Sequence, residues 1–572
     1  MLKKYIDVAA GRVKADIVLK NAAFLNTFTG KVEEGDIAIA GDRIAGIGSY
    51  DGVMEYDMSG LVVLPGFIDG HVHIESSMLT PEPFAELVVP RGTTTVIADP
   101  HEITNVCGMA GFEYMVKAAD NTPLEVHFQL PSCVPATPFE NSGATLAAKD
   151  IGAHICRSQV FGLGEFMNYP GVINCDDEAI KKLEAAHGFG KIVDGHAPCV
   201  TGSRLNAYIC GGIATDHECS SPQELQHKAD RGMYVMLRHS SSGQDFASNC
   251  AAVNAGNMRR FCICTDDRHA ADLKYKGHID DALRAAVSAG VDPVWAVTMA
   301  TLNTAECYDL RWRGAIAPYR FADLAVVDNL KDFNVKYVFK DGVLVAEGGK
   351  QLFNVHHNRY IPGHITDTVH IRDLTADDFK LQLNGARARA IVPRPGTLIT
   401  DCEVVDVNTA GGDVILHDDL LKLAVVERHK NTGNIGRGLL KGYGFKGGAM
   451  GITVAHDSHN IILLGDDNAA MAMAANTLKE TGGGMVLVDS ATGEVDHMIL
   501  EVGGLMSARD ADYVIEESDR LYKKAHSMGV KQGFAPFMTL AFLSLAVIPH
   551  LKLLDTGLFD VDKFAFTDIK AD

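Results

Sequence analysis

The chain has 572 residues, 47% of them apolar and 22% charged, which is too long for one ordinary domain and ordinary in composition for a soluble globular enzyme. No apolar run reaches the roughly 18 residues a membrane helix needs, so no span is expected. Lys and Arg number 52 against 73 Asp and Glu, a formal charge of −21, and that sign repels phosphate backbones and disfavours nucleic-acid binding.

From the N-terminus, ADIVLKNAAFLNT, GDIAIAGDRIAGIG and LVVLPGF read as short strands separated by Asn, Gly and Asp. ADLAVVD and VKYVFKDGVLVAEG, near residues 320–346, have the same style. Together they predict a small β-domain built from both flanks, residues 1–64 plus 315–350. Between the flanks, apolar runs alternate with helix-like segments. LVVLPGFIDGH, TTTVIADP, EVHFQLPS, VFGLGEF, KIVDGHAP, GIATDHECS, YVMLRHSS and FCICTDD read as strands; PEPFAELVVPRG, DDEAIKKLEAAHGFG, SPQELQHKADRG and HIDDALRAAVSAG read as helices. Eight strands with helical crossovers predict an α/β unit, a (β/α)8 barrel over residues 65–314. Beyond it, β-like stretches and the helix-like DDNAAMAMAANTLKET predict a C-terminal α+β domain over residues 351–572.

Nearly every barrel run ends in chemically capable residues: His71 and His73; Asp99, His101 and Glu102; Ser132; Glu165; His196; His217 and Glu218; Arg238 and His239; Asp266 and Asp267. Barrel enzymes place their active sites at these carboxyl ends. One polar strand end means little, since every strand has to stop; seven or eight in succession are harder to explain that way. His71 and His73 have i, i+2 spacing, which on an extended strand points both rings to one face. An H-x-H pair alone is more often a solvated or hydrogen-bonded strand end; among these neighbours it reads as a metal grip. Imidazole suits Zn, Mn or Fe, and carboxylates shift the preference toward Mn and Fe(II).

PGFIDGHVH, with the ordered strand ends that follow it, resembles the amidohydrolase superfamily of metal-dependent barrels. HVHIESS, ADPHEITNVCG, DGHAP, TDHE and CTDDR, with GGAMGITVAHDSHN in the C-terminal part, are together similar to the bacterial-type adenine deaminases. The resemblance implies two divalent metal ions, Mn(II) or Fe(II) ahead of Zn(II). His71 and His73 would hold one with Asp266; His196 and His217 would hold the other; Glu165 would bridge them. Many relatives use a carboxylated lysine as bridge, but VFGLGEF has no lysine, and a glutamate offers two donor oxygens unmodified. Single-metal deaminases of this superfamily carry H-x-x-E after the fifth strand; here Cys199 stands in the fourth place of His196-Ala-Pro-Cys199, which favours two metals. His73-Ile74-Glu75 imitates the H-x-E of the unrelated zinc nucleobase deaminases, but no P-C-x-x-C follows.

The implied reaction is adenine plus water to hypoxanthine plus ammonia, with water activated between the metals attacking C6. Asp266, Glu165 and His239 are the expected acid–base groups, and Asp99, His101, Glu102 and Arg238 the substrate-binding or supporting ones. Opening of a cyclic amide, as in dihydropyrimidine or hydantoin hydrolysis, is the alternative. The resemblance also implies a homodimer. Twelve scattered cysteines without C-x-x-C, and an N-terminus with no sustained apolar segment, add the cytoplasm as the expected location.

Three further signals carry less. Gly442-Tyr-Gly-Phe-Lys-Gly447 satisfies G-x-G-x-x-G, but a strand-like run follows where a nucleotide site needs a helix. Met450, Met471 and Met473 read as core, and LAFLSLAVIPHLKLL as a buried helix or subunit contact. His456 and His459 read as a surface turn or as groups reaching the barrel mouth.

Overall fold

The computed structural model describes every residue except 242, 244, 356–360, 384–386 and 572. Eight parallel strands form its centre: β1 (Phe67–Val72), β2 (Thr93–Ala98), β3 (Glu125–Leu130), β4 (Gly162–Phe166), β5 (Ile192–Gly195), β6 (Thr215–Asp216), β7 (Tyr234–Arg238) and β8 (Phe261–Cys264). β1 to β5 form one ladder and β6 to β8 another. The Ala214 amide bonds the Val193 carbonyl between the two ladders, and Val72 bridges Asp266 in parallel just beyond β8. The result is a strongly curled parallel sheet. β1, β2, β4 and β8 are buried at every position, as expected of parallel strands covered on both faces.

The helices begin where the sequence provides caps. Asp176 accepts from the Ala179 amide ahead of Asp177–Gly188, and Ser221 accepts from the Glu224 amide ahead of Pro222–Ala229, with proline in its first turn. Ile279–Ser288 buries Ile279, Ala282, Leu283 and Ala286, the 3.6-residue stripe that turns one face to the sheet.

A nine-stranded sheet draws Ala15–Asn26, Lys31–Ala40, Arg43–Gly48, Gly52–Asp57 and Val62–Pro65 from one flank and Leu324–Val327, Val335–Lys340, Val343–Glu347 and Lys350–Gln351 from the other. They meet where Leu324–Val327 runs antiparallel to Val62–Pro65. A helix at Leu2–Ala9, absent from the sequence reading, precedes them. Below β3, Glu125 lies beside the Arg313 guanidinium, 3.2 Å from Lys340 Nζ and 3.0 Å from His127 Nε2.

The C-terminal part is β-rich. Its eight-stranded sheet is antiparallel except for one parallel pairing, Ile391 with Leu440. Leu421, Leu423 and Val425 pack to the side of Leu521, while Ala424 and Val426 pack to the side of Met471, so Leu420–Val426 is covered on both faces by alternate residues. Gly442 to Gly447 is a loop leading into the strand Gly448–Ile452, which agrees with discounting a nucleotide fingerprint. Met450 and Met471 are core, but Met473 is 43% exposed on the outer face of its helix. LAFLSLAVIPHLKLL is not one helix. The helix Pro536–Ala541 and a 3-10 turn, Phe542–Ser544, give way to irregular chain before the strand Leu551–Leu554. Pro549, which has no amide proton and clashes with a preceding helical turn, rules out a continuous helix there.

Asp69, fully buried on β1, clasps the sheet shut. It accepts from the Thr265 amide at 3.0 Å and the Thr265 hydroxyl at 2.5 Å, and lies 3.0 Å from His278 Nε2. Asp69→Ala strands these groups and the His71 amide, which also donates to Asp69 at 3.2 Å, and should cost about 3 kcal/mol, read as a lower thermal midpoint. Glu125 gives a pH signature. Burial alone would raise its pKa, but the His127 hydrogen bond and the Arg313 and Lys340 cations outweigh burial and hold it well below the usual carboxylate value of 4.5. A depressed folded pKa means stability that is complete above that value and lost as pH falls beneath it. Glu125→Gln should therefore weaken the fold at pH 7 and flatten its decline below about pH 4.5, measured by thermal scans across pH.

Candidate metal centre

Strand register builds the first half of the site. Beyond β8 the Asp266 amide donates to the His71 carbonyl at 2.9 Å, and the His73 amide returns a bond to the Asp266 carbonyl at 3.2 Å. These bonds hold Asp266 between two side chains that the pleat already turns to one face. Its backbone has φ +57°, a left-handed conformation that Asp tolerates better than most residues. Asp266 Oδ1 lies 3.2 Å from His73 Nε2 and 3.7 Å from His71 Nε2, and the two Nε2 atoms lie 3.1 Å apart.

Glu165, at the end of β4, faces the rest. Its Oε2 lies 3.0 Å from both His196 Nδ1 and His217 Nε2, and 4.0 Å from His71 Nε2; its Oε1 lies 3.3 Å from His101 Nδ1 and 3.7 Å from His73 Nε2. One carboxylate thus touches both histidine pairs. Asp99 supports it from beneath, accepting the Glu165 amide at 2.8 Å. Gly164 permits this approach, because a Cβ there would fall 2.2 Å from Asp99 Oδ2. The Tyr208 hydroxyl donates to the Phe166 carbonyl at 2.9 Å and accepts the His196 amide at 3.0 Å. Buried Lys228, 2.9 Å from Asp216 and 2.7 Å from Glu224, also donates to the Ala197 carbonyl, so β5 and β6 are tied directly behind their histidines.

The donor set fits divalent cations. Two Nε2 atoms at 3.1 Å can share at most one proton, whereas donors about 2.1 Å from one ion lie about 3 Å apart. The His73 Nδ1 faces the Asp99 carbonyl at 2.9 Å, so Nδ1 is the nitrogen that would keep its proton if a cation displaced the one Nε2 gives to Asp266. Among the described residues, buried His71 Nδ1 has no hydrogen-bond partner. Burial, then the neighbouring His217 and His73, holds His71 neutral, the form that ligates. Burial opposes ionisation of Glu165 and Asp266, but the hydrogen bonds of His196 to Glu165 and of His73 to Asp266 outweigh it and keep both anionic. His71, His73 and Asp266 form one group of close donors, and His71, Glu165 and His217 another.

The remaining predicted residues divide. Arg238 bonds Asp266 Oδ2 at 3.1 Å and clasps Glu218. His101 and Glu102 line the same cavity as His73, Glu165, His196, His217 and Asp266. Asp99 turns to the Glu165 amide and is not in that lining. His239 stands apart from the donors: its Nε2 lies 3.0 Å from Asp281, and its ring packs on Phe246. Asp281 in turn is held by Arg268, so an anchored carboxylate commits His239 to the helix side. Ser132 donates to the Glu165 carbonyl at 2.6 Å. The sequence reading missed the far wall, where Leu398, Phe542, Leu545, Val547 and Ile548 complete the cavity from the C-terminal part. Only their apolar character hinted at burial, and nothing indicated where.

Two family models match this chain. The amidohydrolase family covers residues 62–345 and the adenine deaminase C-terminal domain covers residues 397–565. It is 48% identical to an adenine deaminase of Nitratidesulfovibrio vulgaris over 100% of this chain and 99% of that one, and 45% identical to adenine deaminase 2 of Desulfotalea psychrophila over the same shares. Among solved structures, a beta-aspartyl dipeptidase of Fervidobacterium islandicum matches 59% of this chain and 99% of its own at TM-score 0.45 and 20% identity.

Stripped of metal and dialysed against Mn(II), the chain should take up two equivalents, counted by plasma mass spectrometry. Glu165→Gln should lower that count, because a neutral amide offers one donor oxygen where two are needed.

Proposed function

Since the chain belongs to the adenine deaminase family of amidohydrolases, we propose that it hydrolyses adenine to hypoxanthine and ammonia. The observation that carries this reading is likeness along the whole length, through both the amidohydrolase part and the C-terminal part. A cyclic-amide hydrolase has less support, because the C-terminal match is to adenine deaminases. The curled sheet of eight parallel strands supports a (β/α)8 barrel over residues 65–314, with the small β-domain of residues 1–64 plus 315–350 beside it and residues 351–572 as the C-terminal domain.

In this reading His71, His73 and Asp266 would hold one divalent cation, His196 and His217 would hold a second, and Glu165 would serve both. The cations supply Lewis acidity: they make water acidic near neutral pH and neutralise charge that builds at the reacting carbon. The mixed imidazole and carboxylate donors favour Mn(II) or Fe(II), with Zn(II) as the third choice. Asp266 takes a proton from the attacking water as the oxygen bonds to C6. It returns that proton to the exocyclic nitrogen, which leaves as ammonia when the C6–N bond breaks. The other water proton ends on the adjacent ring nitrogen, so atoms balance, and Glu165 is the second group placed to carry it. Arg238 restrains Asp266 through the 3.1 Å bond and sets its basicity. His101, 3.3 Å from Glu165, keeps the bridging carboxylate oriented.

A cytoplasmic location and a homodimer complete the proposal. The twelve unpaired cysteines support a reducing compartment, and among the described residues no helix is long and apolar enough to cross a membrane.

Metal-stripped protein reloaded with Mn(II) should convert adenine to hypoxanthine with one ammonia per turnover, followed by ultraviolet absorbance. Absence of both products from metal-replete protein would overturn the reading. Asp266→Asn should cut kcat by about a thousandfold, the worth of a positioned acid–base group.

A further inference from the structure

The metal-ligating side of the cavity is built by the curled sheet, and its opposite side by the C-terminal part. His456 and Asp457 are the polar groups of that opposite side, and His456 is the aromatic one. It lines the cavity with His73, Glu165 and Asp266, and its ring is fixed in three ways. Nδ1 lies 3.0 Å from Glu102 Oε1. The ring stacks on Phe542 with centroids 4.2 Å apart and planes 15° from parallel. Its amide donates to the Ala541 carbonyl at 3.1 Å, and its carbonyl accepts from the Ser544 hydroxyl at 3.1 Å. The other oxygen of Glu102 is taken by His459, which is fully buried and whose own carbonyl accepts from Arg428. Both Glu102 oxygens are therefore engaged by imidazoles from the C-terminal part, and Glu102 acts through them. With Nδ1 turned to Glu102, Nε2 is the nitrogen left to meet a ligand.

The apolar wall beside His456 is also pinned. Lys552, fully buried, donates to the carbonyls of Leu398 and Phe542 at 2.9 and 3.1 Å. Two segments far apart in sequence are so held at one ammonium, and Leu545, Val547 and Ile548 extend the surface. A flat heteroaromatic base needs an apolar face to pack on and a few polar contacts in its plane. The ligand side of this cavity is almost wholly charged; the C-terminal side supplies the apolar face, one oriented imidazole and the Asp457 carboxyl group.

We propose that the purine-binding half of the site belongs to the C-terminal domain, with His456 as the residue that meets a purine ring nitrogen through Nε2, Glu102 as the residue that positions it, and the wall held by Lys552 as the surface on which the base lies. This inference rests on the adenine reading above. The Glu102 carboxylate agrees with it: burial opposes a charge on His456, but Glu102 outweighs burial and raises its pKa to about 9, so Nε2 carries a proton to donate.

The test uses full-length, Mn(II)-loaded protein. His456→Leu should raise KM for adenine and the calorimetric Kd for hypoxanthine by about tenfold, the worth of one good hydrogen bond, and should change kcat less. Its metal content should match wild type, which a ligand or folding defect would not leave intact. His456→Gln, whose amide reaches the position of Nε2, should recover part of the loss. Equal KM and Kd for His456→Leu and wild type would overturn the inference. Should His456→Leu not fold, a crystal structure of the wild-type protein with hypoxanthine decides: Nε2 within hydrogen-bond reach of the base supports it, and a base bound away from His456 overturns it. Wild-type protein that neither converts adenine nor binds hypoxanthine defeats the activity reading; wild-type protein that does both, with an unaffected variant, defeats only this one.

Discussion

Two backbone hydrogen bonds, from the Asp266 amide to the His71 carbonyl and from the His73 amide to the Asp266 carbonyl, join the last parallel strand to the first. They set the distance from which every donor in the centre is measured. The pleat of β1 turns His71 and His73 to one side, and the same ladder delivers Asp266 to within 3.2 Å of His73 Nε2. Asp69 repeats the closure below with three contacts to Thr265 and His278. Sheet closure and ligand geometry are therefore one structural event. A strand slipped by one residue would turn both histidines away from the cavity and separate them from their carboxylate.

Burying so many ionisable groups is costly unless each charge has a partner. Two carboxylates face four imidazoles, and beyond them Arg238 holds Asp266 and Glu218 together. The supporting contacts are mainly polar and come from the strand ends and from the helices that follow them. Asp99 reaches under Glu165 only because residue 164 lacks a side chain, and Lys228 ties Asp216 to the Ala197 carbonyl behind the other pair. Rigidity at such a site follows from satisfied hydrogen bonds as much as from packing.

How much of this was legible in the sequence depended on how local each signal was. His71 and His73 could be read because strand pleat relates neighbours two apart. Glu165, His196, His217 and Asp266 could be read because each ends a recognisable apolar run. Asp99 could be read as a strand end, but its direction could not, because that depends on Gly164 of another strand. His239 looked identical to its neighbours until Asp281, on a helix well downstream, claimed it. The far wall was least legible. LAFLSLAVIPHLKLL has the composition of a buried helix, and its true course is broken by Pro549 and fixed by the long-range bonds of Lys552. The pairing of Glu102 with His459 spans 357 positions, beyond any periodicity.

Chain order has a consequence for how the enzyme is made. The metal-ligating strands are complete by Asp266, while the opposite wall waits for Phe542 and is locked only when Lys552 has been added. During synthesis domains fold from the N-terminus onward as they emerge. The imidazoles and carboxylates of the centre therefore emerge well before the wall that faces them. The cavity thus becomes two-sided only when the last strands of the chain are in place.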